Sequence, residues 1–178
     1  MSGVGKTTLI NGFIAEHPEV VRISGGDLLL IGKSLEPKDY DFLRLSKMDE
    51  ILHNQDLIVS GLRKYRDSNP FSQVLFDGHS AVSNDEEVVE VPSYVIAGLE
   101  LVGIVFVEDD AAAIVARRRS DTTRQRAFPS LDLVEREQTI ARRACERYSH
   151  ELGIAVLRVR SGMPVVFSSE VSSLLLRR

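Results

Sequence analysis

Met1-Ser-Gly-Val-Gly-Lys-Thr-Thr8 decides how the rest of the chain is read. Read backwards from Lys6, it is most of a phosphate-binding P-loop, whose full pattern is G-x-x-x-x-G-K-[ST] between a strand and a helix. Gly5, Lys6 and Thr7 supply the second half, and the first glycine of the pattern falls one residue before Met1. Small residues let successive backbone N–H groups turn inward as an anion-binding nest. A helix starting near Lys6 aims its positive end at the same point. Lys6 can reach the β- and γ-phosphates of a nucleotide, and the Thr7 hydroxyl can ligate Mg²⁺. The candidate donor-site residues are therefore Gly3, Val4, Gly5, Lys6, Thr7 and Thr8. The plainer alternative is a glycine-rich turn ahead of an amphipathic helix carrying Leu9, Ile10, Phe13 and Ile14.

The chain has 178 residues and a formal net charge of −4. That length fits one domain with a proper core. An acidic balance argues against bulk nucleic-acid binding, so any anion site must be a local cluster of Arg and Lys. The single cysteine, Cys145, rules out an intrachain disulfide and fits a reducing cytoplasm. It falls on the apolar side of an expected helix and reads as a small core residue. No run is long enough to span a membrane, and no signal peptide precedes the loop.

In chain order, helix one is expected over residues 5–16, ending before Pro18. Residues 20–23 form a β-branched strand candidate leading into Ser24-Gly-Gly-Asp27. Asp27 is either a helix N-cap or a ligand-facing carboxylate past a strand end. Residues 46–65 read as a long helix with one apolar face, and Arg44 just before it reads as a solvated charge. Gln73-Val-Leu-Phe-Asp77 has the shape of a Walker B strand, delivering the Asp77 carboxylate to the metal side of a phosphate site. An Asp-Gly turn is its alternative. Residues 83–92 form an excursion or hairpin with an acidic tip at 84–87. A short helix follows at 93–99, then a buried strand at 101–107. Residues 109–118 are helical with Asp109 as cap. They run into a segment with arginines at 117, 118, 119, 124 and 126, suited to a mobile cover that forks onto phosphates. Arg118 and Arg119 read equally as a solvated helix end. A long helix over 131–152, a strand over 154–159 and a short helix over 167–176 complete the chain.

This alternation of strands and helices makes the chain α/β with a mostly parallel sheet. Residues 3–8, Asp77-Gly-His-Ser-Ala-Val82 with Pro92-Ser-Tyr-Val-Ile96, and the arginine segment 117–126 resemble the archaeal-type adenylate kinase family, among the P-loop nucleoside monophosphate kinases. The likeness runs from residue 1 to about 160. It is strongest around 92–96 and 121–126, and weakest over 28–70.

The resemblance implies a three-layer P-loop NTPase fold in a single domain. Residues 27–70 would form the monophosphate side and 117–130 the lid. It implies transfer of the γ-phosphoryl of Mg-ATP to AMP, with a P-loop kinase for another small acceptor, or an ATP-binding regulatory module with little transfer activity, as the alternatives. Thr7 and Asp77 would hold magnesium. Asp27 and Arg44 would lie on the AMP side, with Tyr94 and its neighbours lining the base pocket. Lys6, Arg117, Arg124, Arg126 and Arg142 would neutralise the transferring phosphoryl. It also implies that a central first strand, between those read at 73–77 and 101–107, is missing from this chain. The expectation is a natural start upstream of Met1, which an intact mass beginning at Met1 or Ser2 would overturn. A cytoplasmic enzyme follows, with no nucleic-acid or membrane partner and with a homo-oligomer left open.

Overall fold

The computed structural model describes residues 1, 3–34, 48–70, 73–83, 88–120 and 130–176. Helix α1 spans Lys6–Glu16 and buries Leu9, Ile10 and Phe13. His17 closes it, donating its backbone N–H to the Phe13 and Ile14 carbonyls. Strand β1, Val20–Ser24, leads directly into α2, Gly25–Lys33. Helix α3, Met48–Ser68, runs three residues past its expected end and stops where Asn69 Nδ2 donates to the Tyr65 carbonyl at 2.9 Å. Then come β2, Gln73–Asp77, and a β3–β4 hairpin, Ala81–Ser83 with Val88–Glu90. The hairpin reading holds, with its first strand opening at Ala81, and its acidic tip lies outside the described residues.

Helix α4 is Ser93–Gly98, β5 is Gly103–Glu108 and α5 is Ala111–Ser120. Helix α6, Leu131–Leu152, starts on the Ser130 hydroxyl, which accepts the Leu133 N–H, and ends at Gly153 with φ 68°. Strand β6 is Ala155–Arg160. The last helix, α7, covers Pro164–Leu175, three residues earlier than expected, because Pro164 is pre-set for the first helical turn.

The strands form parallel pairs β1–β2 and β5–β6, and the antiparallel pair β3–β4. Helices flank the parallel pairs, as a P-loop NTPase layer architecture requires. One core packs α1 and α7 on Val20, Val107 and Val159 of β1, β5 and β6. A second packs α2, α3, α4 and Tyr148 of α6 around Ile23. Tyr148 is fully buried, its hydroxyl donating to the Val91 carbonyl at 2.5 Å, and burial pushes its pKa up. Cys145 is buried as expected, and burial raises its thiol pKa as well.

β2 and β5 do not pair with each other. Between them lies an apolar slot of about 250 Å³, lined by Val74–Asp77 on one side and Gly103–Val107 on the other. Met1 and Lys6 reach one end of it. Among the described residues, the two half-sheets β1–β2 and β5–β6 keep their own ladders on either side of it. Among the described residues, no helix is long and apolar enough to cross a membrane.

Candidate functional site

The four parallel strands end on or beside polar residues: Ser24, Asp77, Asp109 and Ser161. Carboxyl ends of parallel strands are where open α/β sheets bind ligands. The loop before α1 lies against these ends. Gly3 and Gly5 take φ of 75° and 98°, the left-handed region where a side chain is strained. A Cβ on Gly3 would also lie 2.8 Å from Arg118 Cγ. Val4 between them is fully buried in the α1 core and fixes the loop from below. Gly5 is the N-cap of α1 and makes no side-chain cap bond, and the positive end of a helix favours an anion at this point.

Lys6 and Asp77 meet here. Lys6 Nζ lies 3.9 Å from Asp77 Oδ1 and donates to the Met1 carbonyl at 2.8 Å. His79 Nδ1 is 3.5 Å from the same ammonium. Arg22 of β1, a residue the sequence did not single out, donates to Asp77 Oδ2 at 2.7 Å. The last residue of β2 thus lies beside the loop lysine. Burial, followed by the charge of Lys6, holds the Met1 α-amino group down to about 4.

A cleft of about 520 Å³ opens over this point. The loop residues Gly3–Thr7 form part of its floor, with Asp77, His79 and Arg117 beside them. Ser24–Gly26, Gln55 and Ile58 form another wall. Among the described residues, the cations lining it are Lys6 and Arg117.

The remaining expected site residues fall in different places. Thr7 lines the cleft, while Thr8 is exposed one step along α1. Asp27 is not the N-cap of α2. Ser24 is, and Asp27 closes a capping box, its carboxylate accepting the Ser24 N–H at 2.8 Å and hydroxyl at 2.7 Å. Tyr94 stands 60% exposed, and its neighbours Val95 and Ile96 line the cleft instead. Partial loss of hydration, then the charge of the neighbouring Asp56 carboxylate, raise its pKa. Arg142 pairs with Glu146 one turn along α6 at 3.8 Å and does not line the cleft. Arg44, Arg124 and Arg126 lie outside the described residues.

Asp109 and Arg118 both depart from expectation. Asp110, not Asp109, caps α5, accepting the Ala112 N–H at 2.9 Å and the Ala113 N–H at 3.3 Å. Asp109 instead pairs with Arg117. Arg118 is no solvated helix end: it is buried against Glu137 of α6, Nη2 to Oε2 at 2.5 Å, with 8% and 5% of the two side chains exposed. Sequence alone could not separate it from exposed Arg119, because only packing of α5 on α6 tells their faces apart. Glu137→Gln should destabilise the fold by about 2 kcal/mol, since a charge-assisted bond under Gly3 becomes a neutral one. Urea denaturation checks this, and a change below about 0.5 kcal/mol would show the pair to be idle.

A family model described as "AAA domain" matches residues 1–135. The chain is also similar to the adenylate kinase of Methanothermobacter thermautotrophicus (strain Delta H), 26% identical over 163 residues, covering 89% of this chain and 85% of that protein. The family match takes in the loop, α1, the Asp77 strand and the arginine-bearing α5. With a glycine loop, lysine and strand-end carboxylate meeting in one cleft, the chain belongs to the AAA domain family of P-loop proteins.

Proposed function

We propose that the chain is an ATP-dependent phosphotransferase of the nucleoside monophosphate kinase kind, moving the γ-phosphoryl of Mg-ATP to AMP and yielding two ADP. The observation that carries this is the approach of Lys6 to Asp77, at 3.9 Å, in a cleft that Arg117 also lines. A kinase needs little covalent chemistry here. Positioning and charge neutralisation carry the catalysis. The likeness to an adenylate kinase along most of the chain supports AMP as acceptor.

Thr7 and Asp77 are the residues that would hold Mg²⁺. Both offer hard oxygen donors, and both line the cleft. Among the described residues no group of three or more His, Cys, Asp or Glu stands together. A hydroxyl, one carboxylate and the ligand's own phosphates suit Mg²⁺, which keeps several waters rather than a full protein cage. When bound, the ion supplies charge to the phosphate oxygens. Around it, the loop N–H groups and Lys6 would bind and orient the phosphates. Arg117 lines the cleft and would add its charge, and the resemblance implies Arg124 and Arg126 as the rest of the neutralising set.

Formation of ADP from Mg-ATP, dependent on AMP and yielding two ADP per AMP consumed, is the expected result. Tight ATP binding without AMP-dependent turnover would overturn the AMP assignment. A second reading has its own observation. The described wall contributed by α2, α3 and α4 includes Leu29, Ile58, Val95 and Ile96, with no cation among its described lining residues. Such a wall also suits a small acceptor that offers a hydroxyl in place of a phosphate. Turnover with a panel of nucleosides and nucleoside monophosphates separates the two.

A further inference from the structure

Arg117 does not stand alone at the edge of the cleft. Its Nε donates to the Gly3 carbonyl at 3.0 Å, and its Nη2 donates to Asp109 Oδ2 at 2.5 Å. The Ser161 hydroxyl donates to that same carboxylate oxygen at 2.5 Å, and Arg117 Nη1 lies 3.4 Å from the hydroxyl. Asp109 is itself held at both backbone groups. Its N–H donates to Gln138 Oε1 at 3.1 Å, and its carbonyl accepts from Gln138 Nε2 at 2.9 Å. Ser161 also backs onto the loop: a Cβ on Gly5 would meet the Ser161 Cβ at 3.1 Å.

These contacts join five parts of the chain: the ends of β5 and β6, the end of α5, α6, and both glycines of the loop. Burial alone would raise the Asp109 pKa. The Ser161 hydroxyl and the Arg117 guanidinium outweigh it and hold the carboxyl below its ordinary value, so the hub is charged under ordinary conditions. An arginine keeps its charge in such a pair. Arg117 remains partly open, with 41% of its side chain exposed, and lines the cleft while anchored. Anchoring of this sort removes rotamer freedom before a ligand arrives, which favours binding.

We propose that Asp109 and Ser161 are positioning residues for the nucleotide site, acting through Arg117: together they lock its guanidinium onto the Gly3 carbonyl, with Ser161 backing Gly5, so that loop and arginine present one fixed surface to the phosphates. This rests on the nucleotide reading above. It assigns a role to two residues at the ends of β5 and β6 that are not among those lining the cleft.

The test is a double-mutant cycle read as Mg-ATP affinity by titration calorimetry, with folding of each variant checked by circular dichroism. Asp109→Asn should weaken Mg-ATP binding about tenfold, and Arg117→Ala by at least as much. The double variant should bind within about twofold of Arg117→Ala, because the latch has nothing left to hold. A merely structural Asp109 would weaken binding by the same factor whether or not Arg117 is present, and that additive result overturns the proposal. If Asp109→Asn does not fold, Ser161→Ala serves in the same cycle, with an expected loss of roughly threefold that vanishes beside Arg117→Ala. Failure of the unaltered chain to bind Mg-ATP would overturn the nucleotide reading and this proposal together. Binding by the unaltered chain with additive losses would overturn the latch alone.

Discussion

Lys6→Ala should lower phosphoryl transfer by about 10³-fold, the scale expected when one preorganised donor to a developing negative charge is lost. The ammonium is held before any ligand arrives, by the Met1 carbonyl at 2.8 Å and the Asp77 carboxylate at 3.9 Å. It is 16% exposed, so its charge acts through a partly water-excluded medium where it counts for more than in bulk solvent. Among the described residues, the other cation lining the cleft is Arg117, which donates to the loop through the Gly3 carbonyl. The fold should survive the change. Asp77 keeps its bond to Arg22 at 2.7 Å, and the lost lysine bond is worth about 1 kcal/mol. Steady-state turnover and a thermal melt together check this. Turnover within tenfold of the unaltered chain, in a folded variant, would remove the P-loop from the mechanism.

The second large effect concerns the slot between β2 and β5. Extending the chain before Met1 by a glycine and six β-branched apolar residues should raise the thermal midpoint by about 10 °C or more. The physical argument runs through unpaired backbone. Among the described residues, β2 and β5 each pair on one edge, and both border the same apolar slot. A strand laid between them would complete two ladders at once and bury side chains against Phe106, Cys145 and Phe167, which already line the space. Each buried Val or Ile contributes roughly 1.5–3 kcal/mol and each new ladder bond about 1 kcal/mol, against about 2 kcal/mol per residue for ordering. A net gain on the order of 5 kcal/mol remains. The extension also converts the buried Met1 amine into an amide, removing a group whose charge the site disfavours. An extension of equal length carrying two prolines isolates the strand from that end effect, because proline cannot donate to a central ladder. Equal midpoints for the two extensions would show that the slot does not accept a strand.

Much of this molecule was legible in its residues, for reasons that differ from place to place. α1 was readable within a residue because a left-handed glycine opens it and Pro18 follows its end. β2 was readable because a run of apolar residues stops on Asp-Gly. Element edges moved by a few residues where local capping decided them, as with Asn69 at α3 and Pro164 at α7. Asp27 shows the limit of local reading. A capping carboxylate and a ligand-facing one look identical in sequence, and the geometry of Ser24 turned it into the partner half of a capping box.

The arginines show a deeper limit. Five of them within residues 117–126 announced an anion-facing segment, yet Arg117, Arg118 and Arg119 are adjacent in sequence and meet different fates. Arg117 bonds the loop, Arg118 is buried on Glu137, and Arg119 is exposed. Successive helix positions point about 100° apart, so which one faces the loop depends on how α5 packs.

By itself the sequence determined the α/β class, the P-loop pattern with its lysine, and the aspartate at the end of β2. These rest on local patterns, where spacing along the chain is spacing in space. Only the tertiary structure decided that Arg22 holds Asp77, that Asp110 and not Asp109 caps α5, and that Asp109 meets Ser161 across 52 positions of chain. Those pairings are made by separate strands ending at one edge, and no periodicity in the sequence records which strand ends become neighbours.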